Sequence, residues 1–143
     1  RATLESSLEV LAGRVATRHV DEARMLAAAT EGYTTATAVA DALVELGVTF
    51  REGHHIVGSM VARAEAAGVE LNELSDRDLA EVLADSADPL AQRAASDPEV
   101  AGELRTAAQL EQALARPDVI GGTAPARVHG ELDAALKRLA PAD

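Results

Sequence analysis

The chain has 143 residues, no cysteine and a formal charge of −11 from 24 acidic against 13 basic residues, so it can bury one core without covalent staples and excludes a disulfide framework or a thiolate metal site. The acidic excess repels phosphate backbones and anionic headgroups, which argues against nucleic-acid and membrane partners. No run approaches the roughly 20 apolar residues that a bilayer crossing needs and no basic start leads into an apolar signal core, so the chain reads as soluble and cytoplasmic.

Alanine is the commonest residue, Leu and Val supply most of the larger apolar side chains, and Tyr33 and Phe50 are the only aromatics. That mix favours helix over strand and predicts an all-α fold. Leu4, Leu8, Leu11 and Val15 recur at helical spacing opposite Glu5, Glu9, Arg14 and Arg18, an amphipathic helix whose narrow seam wants a neighbouring helix. A polar bend is expected at His19 to Asp21. There Asp21 caps a second stretch from Glu22 to Thr30, and Gly32 supplies a left-handed stop.

The next helix is predicted from about Thr34 to Leu46, with Val39, Leu43 and Leu46 inward and Gly47 ending it. Thr49-Phe50-Arg51-Glu52 then forms a capping box, in which the Thr49 hydroxyl and the Glu52 carboxylate satisfy each other's backbone amides. The helix it opens is read with Phe50, His54, Val57 and Val61 on one face and Gly68 at its end. Only Val48 and Thr49 separate Gly47 from Phe50, so the two helices must form a hairpin.

After the Leu71 to Leu74 connection, Ser75 with Asp78 resembles a second capping box, opening a short helix to about Ala84. Asp88-Pro89 and Asp97-Pro98 each join a capping carboxylate to a proline at the first helical position. From Pro98 the sequence reads as one helix to about Ala115, stopped before Pro117. Gly121-Gly122 gives a turn, Thr123 a cap, and Val128, Leu132, Ala135 and Leu139 the stripe of a last helix. No fixed-period repeat or low-complexity linker divides the chain.

Two stretches carry a family resemblance: Ala36-Thr37-Ala38-Val39-Ala40-Asp41 through Phe50-Arg51-Glu52-Gly53-His54-His55-Ile56-Val57-Gly58, and Gly121-Gly122-Thr123-Ala124-Pro125. With Ser7 to Gly13 and Val20-Asp21 before them, they resemble in order the carboxy-terminal portion of argininosuccinate lyase, in the fumarase and aspartase superfamily. The resemblance implies that residues 1–32 are the tail of a central-bundle helix and residues 33–143 a small helical carboxy-terminal domain. It also implies a parent that eliminates fumarate from argininosuccinate in arginine biosynthesis, as a homotetramer with shared active sites and no metal or organic cofactor. The partners implied are the amino-terminal and central-bundle regions of the lyase and sister subunits. Between Asp85 and Pro117 the chain reads longer and more alanine-rich than the family pattern, which motivates an alternative: a non-catalytic, lyase-derived interaction domain in a specialised pathway or fusion enzyme. The start at Arg1 rather than methionine reads as a fragment or a trimmed chain.

The superfamily's base is a serine in Gly-Ser-Ser-x-Met-Pro-x-Lys-x-Asn, and proton abstraction also needs preorganised groups around the developing negative charge. Gly58-Ser59-Met60 is only an echo: it lacks the second serine, proline, lysine and asparagine, so Ser59 reads as a surface or packing residue and no catalytic residue is assigned. His54 and His55 point about 100° apart on a helix and do not converge on one ion. Glu52 and His55 share a face, but a dinuclear bundle site would need a second such motif. No metal or cofactor site is therefore assigned; His54 is expected to be hydrogen-bonded inside the hairpin, with His55 at its edge. The motif residues Thr49, Phe50, Arg51, His54, Gly121, Gly122, Thr123 and Pro125 read as structural, with Arg51 paired to an acid of a neighbouring helix or subunit. His129 reads as an exposed helical residue.

Overall fold

The capping signals read along the sequence act at the starts of five helices in the computed structural model, which describes residues 2–116 and 118–140. All regular structure among those residues is helical: α1 (Ala2–Ala16), α2 (Glu22–Thr30), α3 (Ala36–Glu45), α4 (Phe50–Ala67), a 3-10 turn (Leu71–Glu73), α5 (Asp76–Ala84), α6 (Pro89–Ala94), α7 (Pro98–Ala107), α8 (Leu110–Ala115) and α9 (Pro125–Leu139). Asp21 accepts from the Arg24 amide at 3.1 Å, Ser75 from Asp78 at 3.1 Å, Asp88 from Leu90 at 2.8 Å and Asp97 from Glu99 at 2.9 Å. Each bond satisfies an amide that the helix itself leaves unpaired.

α3 and α4 form the expected hairpin, and theirs is the most extensive helix contact in the chain. α3 ends in a Schellman turn: Val48 N–H donates to the Leu43 carbonyl at 3.0 Å and Gly47 N–H to that of Val44 at 2.9 Å. Gly47 has φ +94°, and a Cβ there would also lie 3.2 Å from Leu90 Cδ1, so both conformation and space favour glycine.

The core runs from Val39 to Ala108 and is built from α3, α4, the 3-10 turn, α5, Ala91 of α6 and α7, with Leu43, Met60, Leu83 and Leu104 at its centre. Leu71 and Leu74, in what the sequence showed only as a connection, are both buried in it. Salt bridges close its rim: Arg63 of α4 reaches Asp78 at 3.2 Å and Glu81 at 2.5 Å on α5, and Arg105 of α7 reaches Asp76 at 2.6 Å. By contrast α1, α2 and α9 bury no residue, and the seam Leu4, Leu8, Leu11 and Val15 is exposed along its length.

Four expectations about local structure need correction. The hairpin's first helix starts at Ala36 rather than Thr34, because Gly32 (φ +76°) and Tyr33 (φ +59°) are both left-handed and the Thr34 hydroxyl turns back to the Ala29 carbonyl at 2.5 Å. The single helix expected from Pro98 to Ala115 breaks at Ala108–Gln109, where Gln109 is extended (ψ 135°). No proline or glycine marks that break; burial of Leu104, Ala107 and Ala108 fixes the end of α7 and the chain turns away. Thr123 does not cap the last helix: its hydroxyl donates to the Leu114 carbonyl at 3.0 Å, and Ala124 occupies the cap position ahead of Pro125. Finally, α4 buries Gly53, Ile56, Val57, Met60 and Ala64, leaving Phe50 and His54 outside. The buried stripe turns toward Gly53, where α3 packs at ordinary contact distance: a Cβ there would lie 3.5 Å from the Ala40 carbonyl oxygen and 3.6 Å from Leu43 Cβ.

Candidate functional site

The motif at the start of α4 divides between residues the fold uses and residues it leaves in solvent. Thr49 is extended (ψ 145°) and its hydroxyl accepts from the Glu52 amide at a long 3.4 Å. The other half of the expected box is not formed. Glu52 Oε1 instead accepts from the Ser86 hydroxyl at 2.8 Å and the Ala87 amide at 3.1 Å, holding the loop between α5 and α6 against α4. Ser86 is 8 % exposed, the one buried polar residue among those described. Its hydroxyl also accepts from the Asp88 amide at 3.0 Å and its carbonyl from Gln92 Nε2 at 2.8 Å. Glu52 and Ser86 are thus spent on joining two helices.

Around this junction lies a polar cleft of about 260 Å³ lined by Glu52, His55, Ser59, Arg63, Asp85 and Ser86 among others. It holds no assembled nucleophile and base. The Ser59 hydroxyl donates to the His55 carbonyl at 3.2 Å, a bond within its own helix that activates nothing. Arg63 is held by Asp78 and Glu81, and hydrogen bonds to these carboxylates, Glu81 foremost, raise its guanidinium pKa. In return Asp78 is pushed below the ordinary carboxylate range, first by the Ser75 hydroxyl and then by Arg63, while Glu81 is lowered by Arg63 and then Arg77. Among the described residues no group of three or more His, Asp or Glu side chains could hold a metal ion.

Phe50 is 67 % exposed, and Arg51 and His54 are exposed too. Among the described residues Arg51 makes no ion pair and His54 no hydrogen bond, so neither the expected salt bridge nor the expected interior bond is found among them. His55 is exposed at the cleft edge, and His129 is exposed on α9.

The late glycine turn lies apart from this cleft. Gly121 has φ +81° and Gly122 N–H donates to the Val119 carbonyl at 2.8 Å. Arg127 donates to Asp118 at 2.5 Å across the turn, and Arg116 pairs with Glu45, tying the end of α8 to α3. The Glu52–Ser86 junction is the element sequence reasoning missed; its only signal was a Ser between acids at Asp85-Ser86-Ala87-Asp88, far from Glu52 in the chain.

Comparison with known proteins gives a consistent result. The family described as "Argininosuccinate lyase C-terminal" matches residues 33–115, a span that takes in most of the 85 to 117 stretch. The argininosuccinate lyase of Kineococcus radiotolerans is 40 % identical over 144 residues, covering 96 % of this chain and 27 % of that protein. That of Renibacterium salmoninarum is 40 % identical over 139 residues, covering 97 % and 26 %, and that of Mycolicibacterium gilvum 41 % identical over 133 residues, covering 93 % and 25 %. The chain therefore spans about a quarter of the length of these relatives. No helix of the described residues is long and apolar enough to cross a membrane.

Proposed function

We propose that this chain, which belongs to the argininosuccinate lyase family and matches its carboxy-terminal portion, is an assembly element of a larger cytoplasmic enzyme in arginine biosynthesis. In this reading residues 1–32 end a central-bundle helix and residues 33–143 are a helical domain packed on the amino-terminal and bundle regions, at the ends of a homotetramer. The parent eliminates fumarate from argininosuccinate; this portion positions structure and takes no part in the proton transfer.

The observation that carries the reading is the contrast between a filled core at 39–108 and helices α1 and α2, which have apolar faces and bury nothing. Leu4, Leu8, Leu11, Val15, Met25 and Leu26 are all more than half exposed, an arrangement that costs solubility unless another surface covers them. The motif residues Thr49, Phe50, Arg51, His54, Gly121, Gly122, Thr123 and Pro125 are assigned structural roles. The cleft around Glu52 holds no assembled nucleophile and base, which supports this.

The test is a graft. This chain replaces the carboxy-terminal quarter of the Kineococcus relative, and fumarate release is followed by absorbance beside the native mass. The expected result is an active tetramer from the graft and no release from the 143-residue chain alone. A graft that folds and assembles but releases no fumarate would count for the alternative of a non-catalytic interaction domain.

A further inference from the structure

From the pattern on α9 we infer that this helix is a self-association surface, pairing antiparallel with α9 of a second copy of the chain. Val128, Leu132 and Leu139 are exposed on one side, beside an open groove of about 450 Å³ that they share in part with Ala135 and Ile120. Ile120 is 93 % exposed. Glu131 and Arg138 stand on the rim of the same groove.

The spacing of the seam selects the occupant. Val128, Leu132, Ala135 and Leu139 are separated by four, three and four residues, a pattern that reads the same in both directions. A second copy running the opposite way sets Val128 against Leu139 and Leu132 against Ala135, each twice by symmetry. At about 100° per residue Glu131 and Arg138 fall on one flank of the seam, and in a two-fold antiparallel pair that flank meets its own counterpart. Each Glu131 then faces the Arg138 of the other copy. A parallel pair would set that flank against His129 and Leu136 and leave both charges unmatched.

Neither charge is committed elsewhere among the described residues. Arg127, one turn before Glu131, is held by Asp118. The α1 seam makes the contrast: Leu4, Leu8, Leu11 and Val15 have the same spacing, but their flanks carry Glu5 with Ala12 and Ser7 with Arg14. An antiparallel α1 self-pair gains no opposite-charge contact. The surface on α9 is also separate from the α1 and α2 faces assigned above to the rest of the lyase, so either assignment can fail without the other.

Sedimentation velocity of the 143-residue chain, from micromolar to roughly millimolar concentration, tests the pairing. The expected result is a reversible monomer–dimer equilibrium that Leu132→Asp weakens at least about tenfold and that Leu8→Asp leaves unchanged. Glu131→Arg and Arg138→Glu should each weaken the dimer, and the double swap should restore it. Because the chain has no cysteine of its own, a variant with Val128→Cys and Leu139→Cys should form, on oxidation, an intermolecular disulfide between positions 128 and 139. A chain that stays monomeric throughout, a dimer lost with Leu8→Asp but kept with Leu132→Asp, or a double swap that is as weak as the two single swaps combined overturns the inference.

Discussion

Replacing Glu52 with alanine should destabilise the chain through Ser86 rather than through Thr49. The carboxylate accepts two bonds, from the Ser86 hydroxyl at 2.8 Å and the Ala87 amide at 3.1 Å. Ala87 is exposed and water can take over its amide, but Ser86 is buried and its hydroxyl loses a charged acceptor. A bond to a charged group is worth about 1.5–3 kcal/mol net, and an acid in the first helical turn adds roughly 0.3–1 kcal/mol through the helix dipole. The expected loss is therefore about 2–4 kcal/mol by these terms, the exposed Ala87 bond being discounted. Urea unfolding followed by helical circular dichroism measures it. The decisive quantity is the coupling in two double-mutant cycles. Glu52→Ala with Ser86→Ala should give an interaction energy of about 1 kcal/mol or more, and Glu52→Ala with Thr49→Ala one within roughly 0.5 kcal/mol of zero. The reverse pattern would mean that Glu52 closes the reciprocal capping box in solution, and the junction described here would be refuted.

Leu43 and Thr49 should separate core from cap. Leu43 is 0 % exposed, so Leu43→Ala should cost about 2–5 kcal/mol in the same urea melts, whereas Thr49→Ala, removing a cap bond of 3.4 Å, should cost about 0.5–1 kcal/mol. Equal and negligible losses would remove the hairpin assignment. Acid stability follows from Asp78 and Glu81, whose carboxyl pKa values are lowered in the fold. Their contribution is fully present above the ordinary carboxyl range near about pH 4 and is lost as pH falls through the lower folded values, because the unfolded chain takes up those protons first. Arg63 and Arg77 stay charged across this window, so Arg63→Gln should flatten the fall in stability from about pH 5 downward; superimposable curves for the two proteins would contradict that assignment.

Much of the fold was legible because helix starts are set by neighbours three residues apart. Asp21, Thr49, Ser75, Asp88 and Asp97 each accept from an amide within the next three residues, a bond that needs no tertiary partner. Gly32, Gly47 and Gly68 are all left-handed near helix ends, as their positions in the sequence implied. The candidate site was less legible. Phe50 and His54 lie at helical spacing with Val57, yet α3 packs on the side of α4 that carries Gly53, Ile56 and Met60 and leaves both outside. Gln109 carries no local signal for the extended conformation that separates α7 from α8.

What the amino-acid order decided alone was helical content, most helix starts, the tight hairpin and membership of a lyase family. These rest on interactions within a few residues or on motifs that keep their order. What only the tertiary structure decided was the partner of Glu52, the sides of α4 that meet the core, and which apolar seams remain uncovered. Those outcomes depend on groups brought together from distant positions, as Glu52 and Ser86 are across 34 residues. The packing of α3 on α4 and the loop geometry at Ser86 set them, and neither is written in the spacing of any single helix.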